Sequence, residues 1–514
     1  MASIGGAFYA VIGCVRIANY VLSLNTALST DSAPPGTDAA TLTVAVDRRA
    51  LDPAYVQIYG QVRDLILAGR LAPGARLPSS RALAAEIGIS RTTVVAAYEH
   101  LQSEGYLDGR GGSGMFVPAT LPESLLTRDP PPRRAPAPTA PADDDGLRGL
   151  PFDPGAPDAA TFPAAQWARL LARGWRQPDP HLLHDRGDGG LPALRRAIAD
   201  HMRAMRGIDC SPNQVIVTAG AGDAIALLAA ALPAAGGRIW VEDPGYMTLR
   251  RAFAAAGTNV RPVAVDGEGF DAATAARAAP GARVAVVTPS RQFPLGTTMS
   301  LRRRLALLAW ARETDGWIVE DDYDSEYRYA GRPLAALMGL DDGGRVIYVG
   351  SFSKVMFRAL RLGYIIAPPA LAPRLLATRR QLGPLASIVA QPALAAFIDS
   401  GRFAAHIRRM RRLYAARQRA LLSIVGEELD GLLEAAPQDG GMHLVAFSTP
   451  ALARRLDDVE ASNRAAAAGI VAPPLSRHYT LGPGRQGLLL GFACADAPAM
   501  RQAAGRLAGV LSGP

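Results

Sequence analysis

The sequence predicts a multidomain α/β protein: a small three-helix module closed by a β-ribbon, then a large domain whose strands alternate with helices around a mostly parallel sheet. Three observations carry that prediction. The 514 residues, 49% hydrophobic and 20% charged, suffice for two or more domains with sizeable cores. A Pro/Ala-rich stretch without apolar period, residues 118–148, separates a region of short amphipathic helices from everything after it. Beyond it, the apolar runs NQVIVTAG, RIWVED, RVAVVT, GWIVED and RVIYVG each end in a turn, and helical stretches alternate with them. That order is the one parallel βαβ units require.

Composition narrows the classes. A net charge of +9 permits a polyanionic partner without demanding one. Cys14, Cys210 and Cys494 are widely spaced and form no CxxC, and no HExxH is present, so neither a disulfide framework nor a metal site is indicated. A reducing cytoplasm fits that usage. Residues 1–46 include the apolar GAFYAVIGCV, but Arg16 interrupts it, no basic segment precedes it, and it is too short to span a bilayer. It reads as a poorly ordered extension; a short anchoring helix is the alternative.

Residues 47–117 form the first module. PAYVQIYGQVRDLILAG places Val56, Tyr59, Val62, Leu65 and Ile66 at helical spacing and stops at Gly69. LPSSRALAAEIG is a capped helix, opened by Ser79 or Ser80 and closed by Gly88. ISRTTVVAAYEHLQSEGYL follows after two or three residues. Helices joined that tightly make a helix-turn-helix whose second member enters the DNA major groove by its N-terminal end. Ser90, Arg91, Thr92 and Thr93 then face double-stranded DNA, and Arg91 is the one able to read a guanine edge with two hydrogen bonds. DGRGGSGMFV completes a wing with a glycine turn. Eight Arg stand against seven Asp and Glu in this module, so affinity rests on the placement of a few Arg and on dimerisation. Residues 118–148 are an extended linker.

The large domain, residues 149–514, is organised around Lys354, since 54 of the 55 basic side chains are Arg and this one is not. A guanidinium cannot form a Schiff base; a tuned primary amine can. The lysine reads as the covalent anchor of pyridoxal phosphate, with a chance survivor as the alternative. RVIYVG places SFSK at a strand's carboxyl end, where α/β sheets keep their sites. Ser351, Ser353 and Arg361 suit a phosphate. Asp321, with Asp322 beside it, ends another strand and suits the cofactor's pyridine nitrogen, and Tyr323 can reach its phenolic oxygen. Gly220, Ala221 and Gly222 form a turn opening a helix, a second cradle for phosphate. GGMHLV and GLLLGFA supply strands of a small C-terminal α+β subdomain.

These residues carry a resemblance. Phe152 to Phe492 resembles fold type I aminotransferases. EDDYDSEYRY, TPSRQFPLGTTMSLRRR and GSFSKVMFRALRLGYI resemble the MocR subfamily, which joins such a domain to a GntR-type winged helix. LPSSRALA, ISRTTV and GYL…GSGMFV resemble that winged helix. The resemblance implies an α/β/α large subdomain with a small α+β subdomain, Tyr246 stacked on the cofactor ring, and Arg81, Arg91, Thr92, Thr93, Arg110 and Gly112 as DNA contacts. It also exposes departures. Val95 replaces a basic residue, and Arg186 stands where relatives carry an aromatic that reaches the neighbouring subunit. The Gly220 turn lacks a hydroxyl and a glutamine. Gln292 and Phe293 replace an Asn-Pro-Thr-Gly run, leaving Gln292 to reach the ring oxygen, and Arg291 replaces a histidine. Leu488, Leu489 and Leu490 fill the run where an Arg clamps substrate carboxylate; Arg477 is the nearest substitute.

The implied function is a pyridoxal-phosphate-dependent transcriptional regulator that binds an operator as a homodimer and senses the cofactor, a small amino compound, or both. The alternatives are a working aminotransferase with an accessory DNA-binding head and a vestigial dimerisation platform that binds no cofactor.

Overall fold

The computed structural model describes residues 42, 44–47, 50, 52–110, 114–121 and 149–513, apart from 177, 179, 184–188, 233–236, 332–334 and 384–385. The chain divides into two compact units, Met1–Pro141 and Ala142–Pro514.

In the first unit, α1 (Ala54–Leu67) buries Ile58, Val62 and Ile66, spaced four apart on one face. They pack against Val94, Ala97, Tyr98 and Leu101 of α3 (Arg91–Ser103). Burying one such aliphatic side chain is worth about 1.5–3 kcal/mol, enough in sum to hold so small a module together. Between them, α2 (Ser80–Ile87) is opened by the Ser79 hydroxyl on Ala82 N–H and closed by Gly88 in the left-handed region (φ 67°). Strands β1 (Asp108–Arg110) and β2 (Gly114–Phe116) pair antiparallel as a short ribbon. Leu42 and Val44, upstream of the expected start at 47, are buried in this core, and Gln61 and Gln57 bond the backbone of Ala45 and Asp47. The signal was hidden because two apolar residues are too few to show a period. Residues 1–41, the linker residues 122–148, Arg186 and Gly112 lie outside the described residues.

In the second unit, seven strands form one sheet in the order β3-β9-β8-β7-β6-β4-β5. They are β3 (Val215–Thr218), β4 (Arg238–Asp243), β5 (Asn259–Ala264), β6 (Ala282–Val287), β7 (Trp317–Asp322), β8 (Val346–Ser351) and β9 (Gly363–Ile366). Strand β9 runs opposite to the other six, which are mutually parallel. Strands β3, β7 and β8 are buried along most of their length, as a sheet covered on both faces demands. Gly350 marks a close approach: a Cβ there would stand 2.3 Å from the Tyr364 ring. Helix Arg402–Glu428 exposes Arg408, Arg409, Arg412 and Arg419 and buries Phe403, Ile407, Met410, Tyr414 and Leu421 on the other face. It leads into an antiparallel sheet of β10 (Leu433–Ala435), β11 (His443–Ser448) and β12 (Gly487–Gly491), the small subdomain. Among the described residues no helix is long and apolar enough to cross a membrane.

Candidate functional site

The carboxyl ends of β7 and β8 open into a cavity of about 340 Å³. Parallel strands bring this about: consecutive strands deliver their following loops to one edge of the sheet. Asp321 and Tyr323 arrive from β7, Ser351 and Lys354 from β8, and Ala221 from the helix after β3. Tyr246 and Phe293 come from the loops after β4 and β6.

Lys354 is half-buried and donates from Nζ to the carbonyl of Gly155 at 3.0 Å. Burial, followed by the charge of Arg358, pushes its amine down to about 8. Asp321 and Asp322 are adjacent yet differ completely. Strand alternation turns them to opposite sides. Asp322 accepts from Arg206 Nη2, Tyr348 O–H and Ser325 O–H, each at 2.7 Å. Asp321, 6% exposed, has no hydrogen-bond or ion-pair partner among the described residues, and it lines the cavity. Burial, then the neighbouring Asp322, pushes its carboxyl up to about 7.

Tyr323 accepts a hydrogen bond from Arg291 Nη1 at 2.8 Å, which leaves its own proton available to donate. Arg291 itself is turned away from the cavity. It pairs with Asp324 at 3.1 Å and donates to Gln438 and to the His443 carbonyl at 2.5 and 2.8 Å, so it ties the β6 and β7 loops to the small subdomain. Gly441 makes room for it, since a Cβ there would stand 2.3 Å from the guanidinium.

Other expected residues fall elsewhere. Gln292, 1% exposed, donates its two amide hydrogens to the Pro244 and Phe293 carbonyls at 2.7 and 2.6 Å. No donor remains for a ligand, which corrects the expectation that it reaches a ring oxygen. Ser353, Gly220, Gly222 and Arg361 are not among the described lining residues. Gly363 nevertheless packs against Gly220, its built Cβ 3.0 Å from that backbone, so the loop carrying Arg361 (φ 45°, exposed) adjoins the Gly220 turn. Arg477 is exposed on a short turn, Ser476–His478, and does not line the cavity, a correction to its expected place near a ligand carboxylate.

Sequence reasoning passed over Asp153, Gly155, Arg358 and His443, all lining residues. Arg358, four residues after the lysine, was the legible one. The Asp153 contact spans some 200 positions of sequence and left no local trace.

In the first unit Arg81, Ser90, Arg91 and Thr92 are exposed and Thr93 is half-buried. Ser90 is the N-cap of α3: its hydroxyl accepts from Thr93 N–H at 3.2 Å and bonds the Thr92 and Thr93 hydroxyls at 2.8 and 2.7 Å. It therefore shapes the helix start before it touches anything else. Arg91 Nε donates to Ser80 at 3.3 Å, bracing the guanidinium across the turn. Arg110 ends β1, with its side chain outside the described residues.

Residues 155–507 match the aminotransferase class I and II family, and residues 54–117 match the gntR family of bacterial regulatory proteins. The chain is 41% identical over 469 residues to the probable rhizopine catabolism regulatory protein MocR of Rhizobium meliloti, covering 89% of this chain and 94% of that one. It is 36% identical over 475 residues to the HTH-type pyridoxine biosynthesis transcriptional regulator PdxR of Corynebacterium glutamicum, covering 90% and 97%. Among solved structures it is similar to LysN, the α-aminoadipate aminotransferase of Thermus thermophilus, at 25% identity and a TM-score of 0.65 over 72% of this chain and 95% of that one. The first family implies a pyridoxal phosphate site and the second implies DNA binding. With both halves matched in one chain and relatives aligned along nearly its whole length, the protein belongs to the aminotransferase class I and II family and, through its gntR-type head, to the MocR-like HTH-type transcriptional regulators.

Proposed function

We propose that this regulator binds pyridoxal phosphate in the cavity at Lys354, senses a small amino compound there, and reports occupancy through the operator affinity of a homodimer in the cytoplasm. One observation carries the reading: the only lysine of the chain lines one cavity with Asp321, the member of the Asp321–Asp322 pair that has no hydrogen-bond or ion-pair partner among the described residues.

The residues fit the group. A buried carboxylate without a partner is costly, and a protonated ring nitrogen would resolve that cost for Asp321. The lowered amine of Lys354 supplies a larger neutral fraction at physiological pH than a solvent-exposed lysine has. The helix start at Ala221, Ser351 and the loop of Arg361 offer N–H, hydroxyl and guanidinium groups to a phosphate. Tyr246 and Phe293 supply flat apolar walls for a ring. When bound, pyridoxal phosphate supplies an aldehyde that condenses with primary amines and a ring that draws electrons from them. The protein's part is to hold and exclude. With the group bound, Asp321 would hold a proton on its ring nitrogen and Tyr323 would donate its O–H, while Arg291 fixes the Tyr323 oxygen by donating to it. Lys354 Nζ moves a proton once its usual partner, the Gly155 carbonyl, is given up.

On DNA, Arg91 reads base edges, Arg81, Thr92, Thr93, Arg110 and Gly112 contact the backbone, and two heads meet two half-sites. Ligand changes operator affinity only as far as it prefers one arrangement of the dimer over the other.

Borohydride treatment of protein saturated with pyridoxal phosphate, followed by peptide mapping, should place the reduced pyridoxyl group on Lys354. Saturated protein with no label on that peptide refutes the reading. The second reading, an active aminotransferase, is favoured by the presence of Lys354, Asp321 and Tyr323 in one cavity. Steady multiple turnover with amino donors and 2-oxo acids would establish it, and a single stoichiometric conversion would not.

A further inference from the structure

Two cations of the cavity crowd one carbonyl. Lys354 Nζ and Arg358 Nε both donate to Gly155 O, at 3.0 and 3.1 Å. Gly155 permits the crowding: a Cβ there would stand 2.3 Å from Lys354 Nζ and 2.7 Å from Arg358 Nη2, so the two nitrogens are no more than about 5 Å apart. One carboxylate answers both. Asp153 accepts Arg358 Nη2 at 2.7 Å, but its oxygens are also held by the N–H groups of Gly155 and Gly149, each at 3.0 Å. Asp153 thus braces the guanidinium on the cavity wall, while Arg358 Nη1 has no partner among the described residues. A braced guanidinium with donors to spare, beside an amine, is suited to an anion.

The other described lining residues offer no second guanidinium. Phe293, Val471 and Pro473 are apolar, and burial holds the His443 imidazole neutral. On β12, Leu489 is 1% exposed and packs with Val445 and Leu475, with Phe293 and Tyr479 against them. A carboxylate placed against those residues would lose its hydration without gaining a charged partner.

We infer that Arg358 is the carboxylate-binding residue of the sensing cavity, and that the compound sensed is an amino acid whose amino and carboxylate groups are one or two carbons apart. The assignment rests on the proposal that the cavity receives an amino compound. Its geometry follows from the short distance between the two nitrogens. An amine taking the place of Lys354 Nζ reaches Arg358 with a carboxylate only if the spacer is short.

The test is calorimetric titration of the pyridoxal-phosphate-loaded full-length protein with L-alanine, ethylamine and 4-aminobutanoate. L-Alanine is expected to bind about 10- to 100-fold more tightly than ethylamine, the range for a charge-assisted hydrogen bond, and more tightly than 4-aminobutanoate. Arg358→Gln should bring the L-alanine Kd to within roughly threefold of the ethylamine Kd while leaving ethylamine where it was. Equal binding of L-alanine and ethylamine by the unaltered protein overturns the assignment and leaves amine sensing standing, and it decides the matter even if the variant does not fold. Equal weakening of both ligands in Arg358→Gln also overturns it, because that is the signature of a residue that merely holds Asp153. If none of the three binds to cofactor-saturated protein, amine sensing fails and the assignment falls with it.

Discussion

The start of α3 and the end of β7 each present a short polar run, Ser90 to Thr93 in one unit and Asp321 to Asp324 in the other, and they use polarity in opposite ways. At α3 Ser90, Arg91 and Thr92 are exposed and Thr93 half-buried, their groups bond one another or Ser80, and among the described residues no carboxylate pairs with Arg91. At β7 the three aspartates are buried, and Asp322 and Asp324 are each tied to an arginine, so Asp321, with no partner at all among the described residues, becomes conspicuous. An exposed polar group left open costs almost nothing and therefore says little about a ligand. A buried one is expensive, and its survival points to something that repays it.

The largest effect that would sharpen this contrast is on Asp321. Asp321→Asn should weaken pyridoxal phosphate binding by about 100-fold, the loss expected for an ion pair in a desolvated site. The same change should stabilise cofactor-free protein. Burial raises the folded-state pKa of Asp321 above its unfolded value, so the stability of the protonated form is lost as pH rises through about 7. The gain in Tm of the variant, about 2–4 °C, should accordingly be largest at pH 8, shrink as pH falls below about 7, and vanish only near pH 4, where the carboxyl is protonated in both folded and unfolded chains. A gain independent of pH would show that the carboxyl is not the source of the strain.

Arg91→Ala comes next, with operator affinity lowered by roughly 30-fold in an electrophoretic or fluorescence titration and the spectrum of bound cofactor unchanged. Unchanged affinity would mean that α3 does not read the operator. Third, the rate of cofactor capture should rise about tenfold between pH 7 and pH 9, following the neutral fraction of an amine pushed down to about 8. A rate still climbing tenfold per unit above pH 9 would place Lys354 in water. The smallest effect belongs to Ser90→Ala, which removes the cap of α3 and should cost the head about 1 kcal/mol of stability, read by denaturant unfolding.

The readable part of the site was the part written in consecutive residues. Lys354, Asp321, Tyr323 and Ser351 were singled out from local runs, and the sheet delivers all four to one cavity. Gln292 was singled out by its position in a run, but the run folds back on itself and consumes its amide. Arg477 was proposed because it was near in sequence to a strand, and nearness along the chain does not aim a side chain.

The pattern of apolar residues, the glycine stops and the isolated lysine determined by themselves that a helical head precedes an α/β domain with a strand-end site, because each is a property of a few adjacent positions. Only the tertiary structure decided which of two adjacent aspartates is left without a partner, and that Arg358 meets Asp153 across the chain at the carbonyl of Gly155. Those outcomes depend on how elements far apart in sequence close around a cavity, and no local periodicity encodes the distance between two loops.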